Sequence, residues 1–270
     1  MGYLDLLRIK QFSGLWVAGT ISYTGDVIFS VAINWAIYTL TLSTFLVSLT
    51  ILTTILPRVI VSPLAGGWID KRNKAKTMIF ILLIQGIISF FLAILYISKN
   101  FFLPLVLVIL FALNSLGAIA FVTIETILPR ILPPDNLGKG NSLFSTSVSG
   151  SQVLGFGIGG TLVAVLGPGI PIIYDSVTFF VSASLILILL GREKTALAEV
   201  SQKAYFSQLR EGIWWLISDR TSMELLVVNL VLTGIGGPLD VLLVGYTYSY
   251  GVKILLDLNP FDPCFQFLRR

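Results

Sequence analysis

Five ionisable residues lie inside or at the rims of long apolar runs: Asp26, Arg58, Glu125, Asp175 and Asp240. A charge placed in bilayer hydrocarbon costs about 2.5 to 3.5 kcal/mol on insertion scales, so each needs a function or a route to water. Asp26 has the poorest route. It follows Gly25 near the middle of the first run, and its short side chain reaches neither rim. A carboxyl at that depth has the chemistry to load and release a proton; the competing role is a structural hydrogen bond to a neighbouring helix. Arg58 precedes Gly66 by about eight residues, roughly 12 Å of helix, and its long side chain can snorkel toward the nearer membrane face. That reading comes ahead of pairing with Asp26 or with a substrate. Glu125, one turn before Pro129, is expected to reach the interface, and Asp175 stands within two turns of the outer end of its run. Asp240 follows Gly236, Gly237 and Pro238, a break that can open the backbone, and receives no role.

The chain has no histidine and one cysteine, Cys264. Those counts remove zinc clusters, haem ligation, Ser-His-Asp and Cys-His catalysis and an intrachain disulfide. An intramembrane enzyme needs paired groups at depth, and Asp26, Asp175 and Asp240 lack the local spacing for one. No catalytic residue, metal or cofactor is therefore expected. The net charge of +4 does not indicate nucleic acid, because the basic residues form short clusters between apolar runs.

The elements that must position these residues follow from composition. The 270 residues are 55% hydrophobic and 12% charged, with a mean hydropathy of +0.90, whereas a soluble domain carries about 25% charged residues. Apolar runs cover about 13–40, 44–66, 77–98, 102–128, 140–166, 170–190 and 223–249. Each is long enough to span a bilayer and none alternates as a barrel strand does, so the expected fold is an all-α polytopic membrane protein. The first run lacks a small-residue cleavage site and is retained as a span. Thirteen lysines and arginines flank one side, against Lys99 on the other, which predicts a cytoplasmic N-terminus. Between Lys203 and Arg220, Phe206, Leu209, Ile213, Leu216 and Ile217 recur at helical spacing, opposite Gln208, Arg210, Glu211, Ser218 and Asp219. With Trp214 and Trp215 beside them, they predict an amphipathic helix flat on the cytoplasmic face. Trp16, Tyr23, Trp35 and Tyr38 are expected as packing or belt residues ahead of a cavity lining.

The second run ends in Ser62, Pro63, Leu64, Ala65, Gly66, Gly67, Trp68, Ile69, Asp70, Lys71, Arg72, Asn73 and Lys74. This resembles the signature loop between helices two and three of the major facilitator superfamily, roughly G-x-L-A-D-R-x-G-R-R. Gly66, Asp70 and the basic residues Lys71, Arg72 and Lys74 carry the match. Asn73 replaces the second glycine as a residue tolerant of left-handed backbone, and Lys74 stands where arginine is usual. A carboxylate here can cap a helix N-terminus, while the cations keep the loop inside. In the fifth run, Ser147, Ser151, Gly155 and Gly159 fall four apart, with Gly160 adjacent, a face that permits close helix contact. Gly155 to Gly160 is similar to the superfamily antiporter motif G-P-x-x-G-G, with Phe156 in the proline position; the motif implies exchange coupling, and a packing groove alone is the alternative.

Leu15, Trp16, Ile21, Ser22, Gly25, Asp26, Trp35, Tyr38, Leu40 and Thr41, then Leu128, Pro129, Pro133, Asn136, Leu137 and Asn141, resemble the drug and macrolide efflux branch. Leu209 to Gly212 resembles that branch's central linker. The resemblance covers about residues 10–249. It implies a six-span half at 1–191, a cytoplasmic linker at 192–222, a seventh span at 223–249 and an atypical tail at 250–270. Because the family continues with five more helices, the chain is expected to be a truncated six-helix bundle plus one span. The implied activity is proton-coupled, antiporter-like efflux of small, amphipathic molecules by a permease of the plasma membrane. The competing expectation is a non-transporting remnant or a membrane assembly partner. The partners are the lipid bilayer, a substrate of unknown identity, and a second transporter half or a second copy of the chain.

Overall fold

In a computed structural model, residues 3–70 and 72–190 are described, together with 214, 218–228 and 231. Lys71, most of the 192–222 linker, most of the 223–249 span with Asp240, and the 250–270 tail with Cys264 lie outside the described residues. Helices α1 (Tyr3–Leu7), α2 (Lys10–Thr41), α3 (Thr44–Asp70), α4 (Lys74–Ile97), α5 (Leu103–Ile131), α6 (Pro134–Leu166) and α7 (Gly169–Leu190) follow in order. Six of them, α2 to α7, are long and apolar enough to cross a bilayer. The chain is an all-α, multi-pass membrane protein with a six-helix N-terminal bundle. Several helices run on through polar residues past the apolar stretch; α6 starts at Pro134, six residues before the expected span. The short α1 was not expected; it docks by Leu6, which is buried with Phe12, Leu128 and Leu132.

Helix ends show how the turns are made. Leu42 closes α2 in the left-handed region at φ 51°, its N–H donating to Tyr38 O at 2.7 Å. Gly167, at φ 73°, ends α6 in a conformation that favours glycine, and Pro168 follows. Asn73 departs from expectation. Its backbone is extended at φ −69°, and its side chain caps α4 by accepting from the Lys76 amide at 3.0 Å. Asparagine thus serves here as an N-cap, and the carboxylate of Asp70 does not take that place. Asp219 caps a helix covering 220–228 in the same way, three residues before the expected seventh span, and accepts from the Ser222 amide at 2.8 Å. The hydrogen bonds from Ser222 hold this exposed carboxyl below the usual carboxylate range. The cap therefore operates at neutral pH and is lost only as acid protonates Asp219.

Helix α7 packs on α2 and α4, α2 also packs on α6, and α5 packs on α3 and α4. The small-residue face of α6 meets α2. A Cβ on Gly155 would lie 2.7 Å from Val27 Cγ1, one on Gly159 would lie 3.3 Å from Ile28 Cα, and Ser151 shares a 2.9 Å hydrogen bond with Thr24. Ser147 turns back to its own helix, donating to Leu143 O at 3.0 Å, and Gly160 has open space on its outer side. Overpacking a filled contact costs about 1 to 3 kcal/mol. Gly155→Leu is therefore expected to lower the melting temperature in detergent, while Gly160→Leu leaves it near wild type. Equal melting of the two variants would contradict the assigned face.

Candidate functional site

Two apolar cores stack along the bundle axis. One gathers Ile33, Ile37, Val47, Leu92, Leu110 and Ile172; the other gathers Leu15, Met78, Leu82, Ile127, Phe179 and Ile186. On the helices that contribute to both, polar and small residues recur between them: Ser22, Thr24, Gly25 and Asp26 on α2, Gln85, Gly86 and Ser89 on α4, Asn114 and Ser115 on α5, and Asp175, Ser176 and Thr178 on α7. This mid-depth polar layer lies where hydrocarbon would otherwise be continuous.

The layer is held by hydrogen bonds between helices, which supply the association that lipid-soluble side chains alone do not. Ser176 donates to Gly86 O at 2.7 Å, and beside the second core Ser182 donates to Ala18 O at 2.8 Å. Ser89 donates to Asp175 Oδ2 at 2.8 Å. Gln85 donates to Leu113 O at 3.4 Å, tying α4 to α5. Glycines set the approach. A Cβ on Gly86 would meet the Phe180 ring at 3.0 Å, and one on Gly25 would collide with Thr178 Oγ1 and lie 3.0 Å from Asp175 Oδ1.

Asp26 lies in this layer, half-buried, 16 residues from Lys10 at the start of α2. Arg58 is exposed on α3. Pairing with Asp26, the arrangement the sequence ranked second for Arg58, is not among the ion pairs of the described residues. Glu125 is exposed on α5. Asp175, read from the sequence as a residue near the outer end of its span, is 1% exposed. Sequence reasoning also missed Gln85, Ser89 and Gly86. The signal available was the recurrence of polar or small residues at one depth in four separate apolar runs.

A second cluster lies at the end of the bundle where α3 passes into α4. Lys74 is 4% exposed and pairs with Asp70 at 3.2 Å, and the Arg72 guanidinium covers the Trp68 ring at 4.3 Å. Gly66 lies one turn before Asp70 in α3. Among the described residues no group of three His, Cys, Asp or Glu gathers that could hold a metal ion.

The described helices thus form a multi-pass bundle with a hydrogen-bonded polar layer at mid-depth. The Major Facilitator Superfamily model matches residues 15–260, and the chain belongs to that family. It is similar to the MFS-type transporter YfmI of Bacillus subtilis (strain 168), with 24% identity over 226 residues, 82% of this chain and 55% of the relative. The chain spans about half the length of the curated relative it matches.

Proposed function

We propose that the six-helix bundle is one half of an alternating-access transporter, exporting small, amphipathic molecules in exchange for protons at the plasma membrane. The observation that supports this reading is Asp26, a half-buried carboxyl near the middle of α2, in a chain of the Major Facilitator Superfamily. In such a machine two helix bundles enclose the substrate at the midplane and rock about it. Asp26 takes up a proton on one side and gives it up on the other. Arg58 is the counter-charge that favours the ionised form once the proton has left. Asp70 and Lys74 lock the α3–α4 turn, and the face of Ser151, Gly155 and Gly159 lets α6 bear tightly on α2. Gly160, Lys71 and Arg72 belong to the same two motifs.

The reading is tested by expressing the chain with the part of the Bacillus subtilis relative that the match leaves over, in vesicles given a pH gradient. Gradient-driven movement of a lipophilic dye is expected. Dye movement indifferent to the gradient would contradict proton coupling.

A second reading, supported by the 55% coverage of the relative, is that residues 1–270 by themselves do not transport and act as a remnant or a membrane assembly partner. Orientation has its own test. In a background with Cys264→Ser, Lys76→Cys and Asn100→Cys occupy exposed positions at opposite ends of α4. The excess of basic residues at the Lys76 end predicts that an impermeant thiol reagent labels only Asn100→Cys in sealed cells. Labelling of Lys76→Cys alone would invert the topology.

A further inference from the structure

We propose that Asp175 on α7 is held as a neutral carboxylic acid, its proton sealed in the seam where α7 packs on Gly25 of α2 and Ser89 of α4, so that the seam must open before the proton can leave. The site is separate from the role given to Asp26 and is measured without transport.

The supply of hydrogen-bond donors carries the assignment. Asp175 is 1% exposed. Ser89 donates to its Oδ2 at 2.8 Å, while Oδ1 is buried with no hydrogen-bond partner among the described residues. An ionised carboxylate only accepts, at about four lone-pair sites, and it is costly to bury without donors or a counter-charge. The neighbouring donors are committed elsewhere. Thr178 donates to Asp175 O at 2.7 Å, Ser176 to Gly86 O at 2.7 Å, and the Gln85 amide nitrogen to Leu113 O at 3.4 Å. Gln85 Oε1 is itself a buried acceptor without a partner. The seam is therefore short of hydrogens rather than of oxygens.

A neutral acid changes that balance. Its Oδ2 accepts from Ser89 as the carbonyl oxygen, and its Oδ1–H becomes a donor. An acceptor stands one turn along α7: Oδ1 and Thr178 Oγ1 both lie within 3.0 Å of the point that a Cβ on Gly25 would occupy. The Thr178 hydroxyl, whose hydrogen goes to Asp175 O, keeps lone pairs to accept with.

Asp175 takes part in none of the ion pairs among the described residues. Of the helices packed on α7, α2 carries Lys10 and Asp26, α4 carries Lys74 and Lys76, and α6 carries Asp135 and Lys139. The lysines and Asp135 lie in the first two turns of their helices, and Asp26, which follows Gly25, is a second carboxyl and no counter-charge. The same helices carry the phenols of Tyr23, Tyr38 and Tyr96, and α7 that of Tyr174. Arg58 on α3 and Glu125 on α5 are exposed, on helices that pack mainly on one another and on α4. Release breaks the Oδ1–H bond, hands the proton to water as hydronium and leaves the electron pair on the carboxylate, whose charge then needs hydration.

The test is infrared difference spectroscopy of the purified 270-residue chain in detergent at pH 7, with and without sodium. A protonated-carboxyl band is expected in the native chain, lost in Asp175→Asn and retained in Asp26→Asn. Ser89→Ala, which removes the donor to the carbonyl oxygen, should move that band to higher frequency and covers the case in which Asp175→Asn does not fold. On transfer to heavy water the band should shift slowly, because exchange waits for local opening. A spectrum with no band that responds to Asp175→Asn or Ser89→Ala would overturn the proposal, and a shift complete within mixing would overturn the seal. A band that appears only when sodium is omitted would assign Oδ1 to a metal cation and would also overturn it.

Discussion

Asp26→Asn is expected to reduce pH-gradient-driven export to background in membranes where this chain is paired with a second helix bundle, while the amount of inserted protein stays near wild type. The carboxyl lies about 24 Å along α2 from Lys10, beyond the reach of its side chain to headgroups. Maintaining it there costs a few kcal/mol, and the amide keeps the shape and hydrogen bonding while removing the titration. Asp26→Glu keeps a titrating group one methylene further out and should retain part of the export. Dye flux and membrane protein content measured together decide the matter. Export unaffected by Asp26→Asn would place proton coupling elsewhere, and loss of the protein from the membrane would make Asp26 a structural residue.

The second large effect is an asymmetry between two partners of one ion pair. Lys74 is buried and Asp70 is about a third exposed, with 3.2 Å between Nζ and Oδ1. Asp70→Ala leaves an ammonium without its counter-charge in a closed site, a class of change that costs about 3 to 5 kcal/mol when the site is fully buried. The exposure of Asp70 and the flexible lysine stem reduce this to roughly 2 to 3 kcal/mol. Lys74→Met leaves a carboxylate that already touches water, and should cost well under half as much. Thermal melting of the two variants in detergent gives the comparison. A more severe Lys74→Met would contradict the burial of the ammonium.

The six spans were legible because each is a run of apolar residues long enough to cross hydrocarbon, a property of composition that packing does not alter. Asp26 was legible for the same reason, as a charge conspicuous against such a run. The α6 contact could be read in part: four-residue spacing places Ser151, Gly155 and Gly159 on one face, but only the packed bundle shows that this face meets α2 and that Gly160 lies outside it. The burial of Asp175 was hidden because burial is decided by other helices. Six residues into α7 it resembles an interface residue, and the groups that seal it, Ser89 and Gly25, lie 86 and 150 residues away in the chain. Arg58 illustrates a similar limit, since snorkelling and pairing use the same long side chain and spacing along the sequence does not choose between them. Asn73 was assigned by its tolerance of left-handed backbone, whereas its capping ability decided its place.

The central claim is that this bundle is half of a proton-coupled machine that works by two halves moving about a shared site. It is tested most directly by reconstituting residues 1–270 alone into sealed liposomes, imposing a pH gradient and following a lipophilic dye. The account predicts dye movement no faster than in protein-free liposomes, because a single bundle has nothing to rock against. Gradient-dependent efflux by residues 1–270 alone would contradict it and would make two copies of this chain the transporting unit.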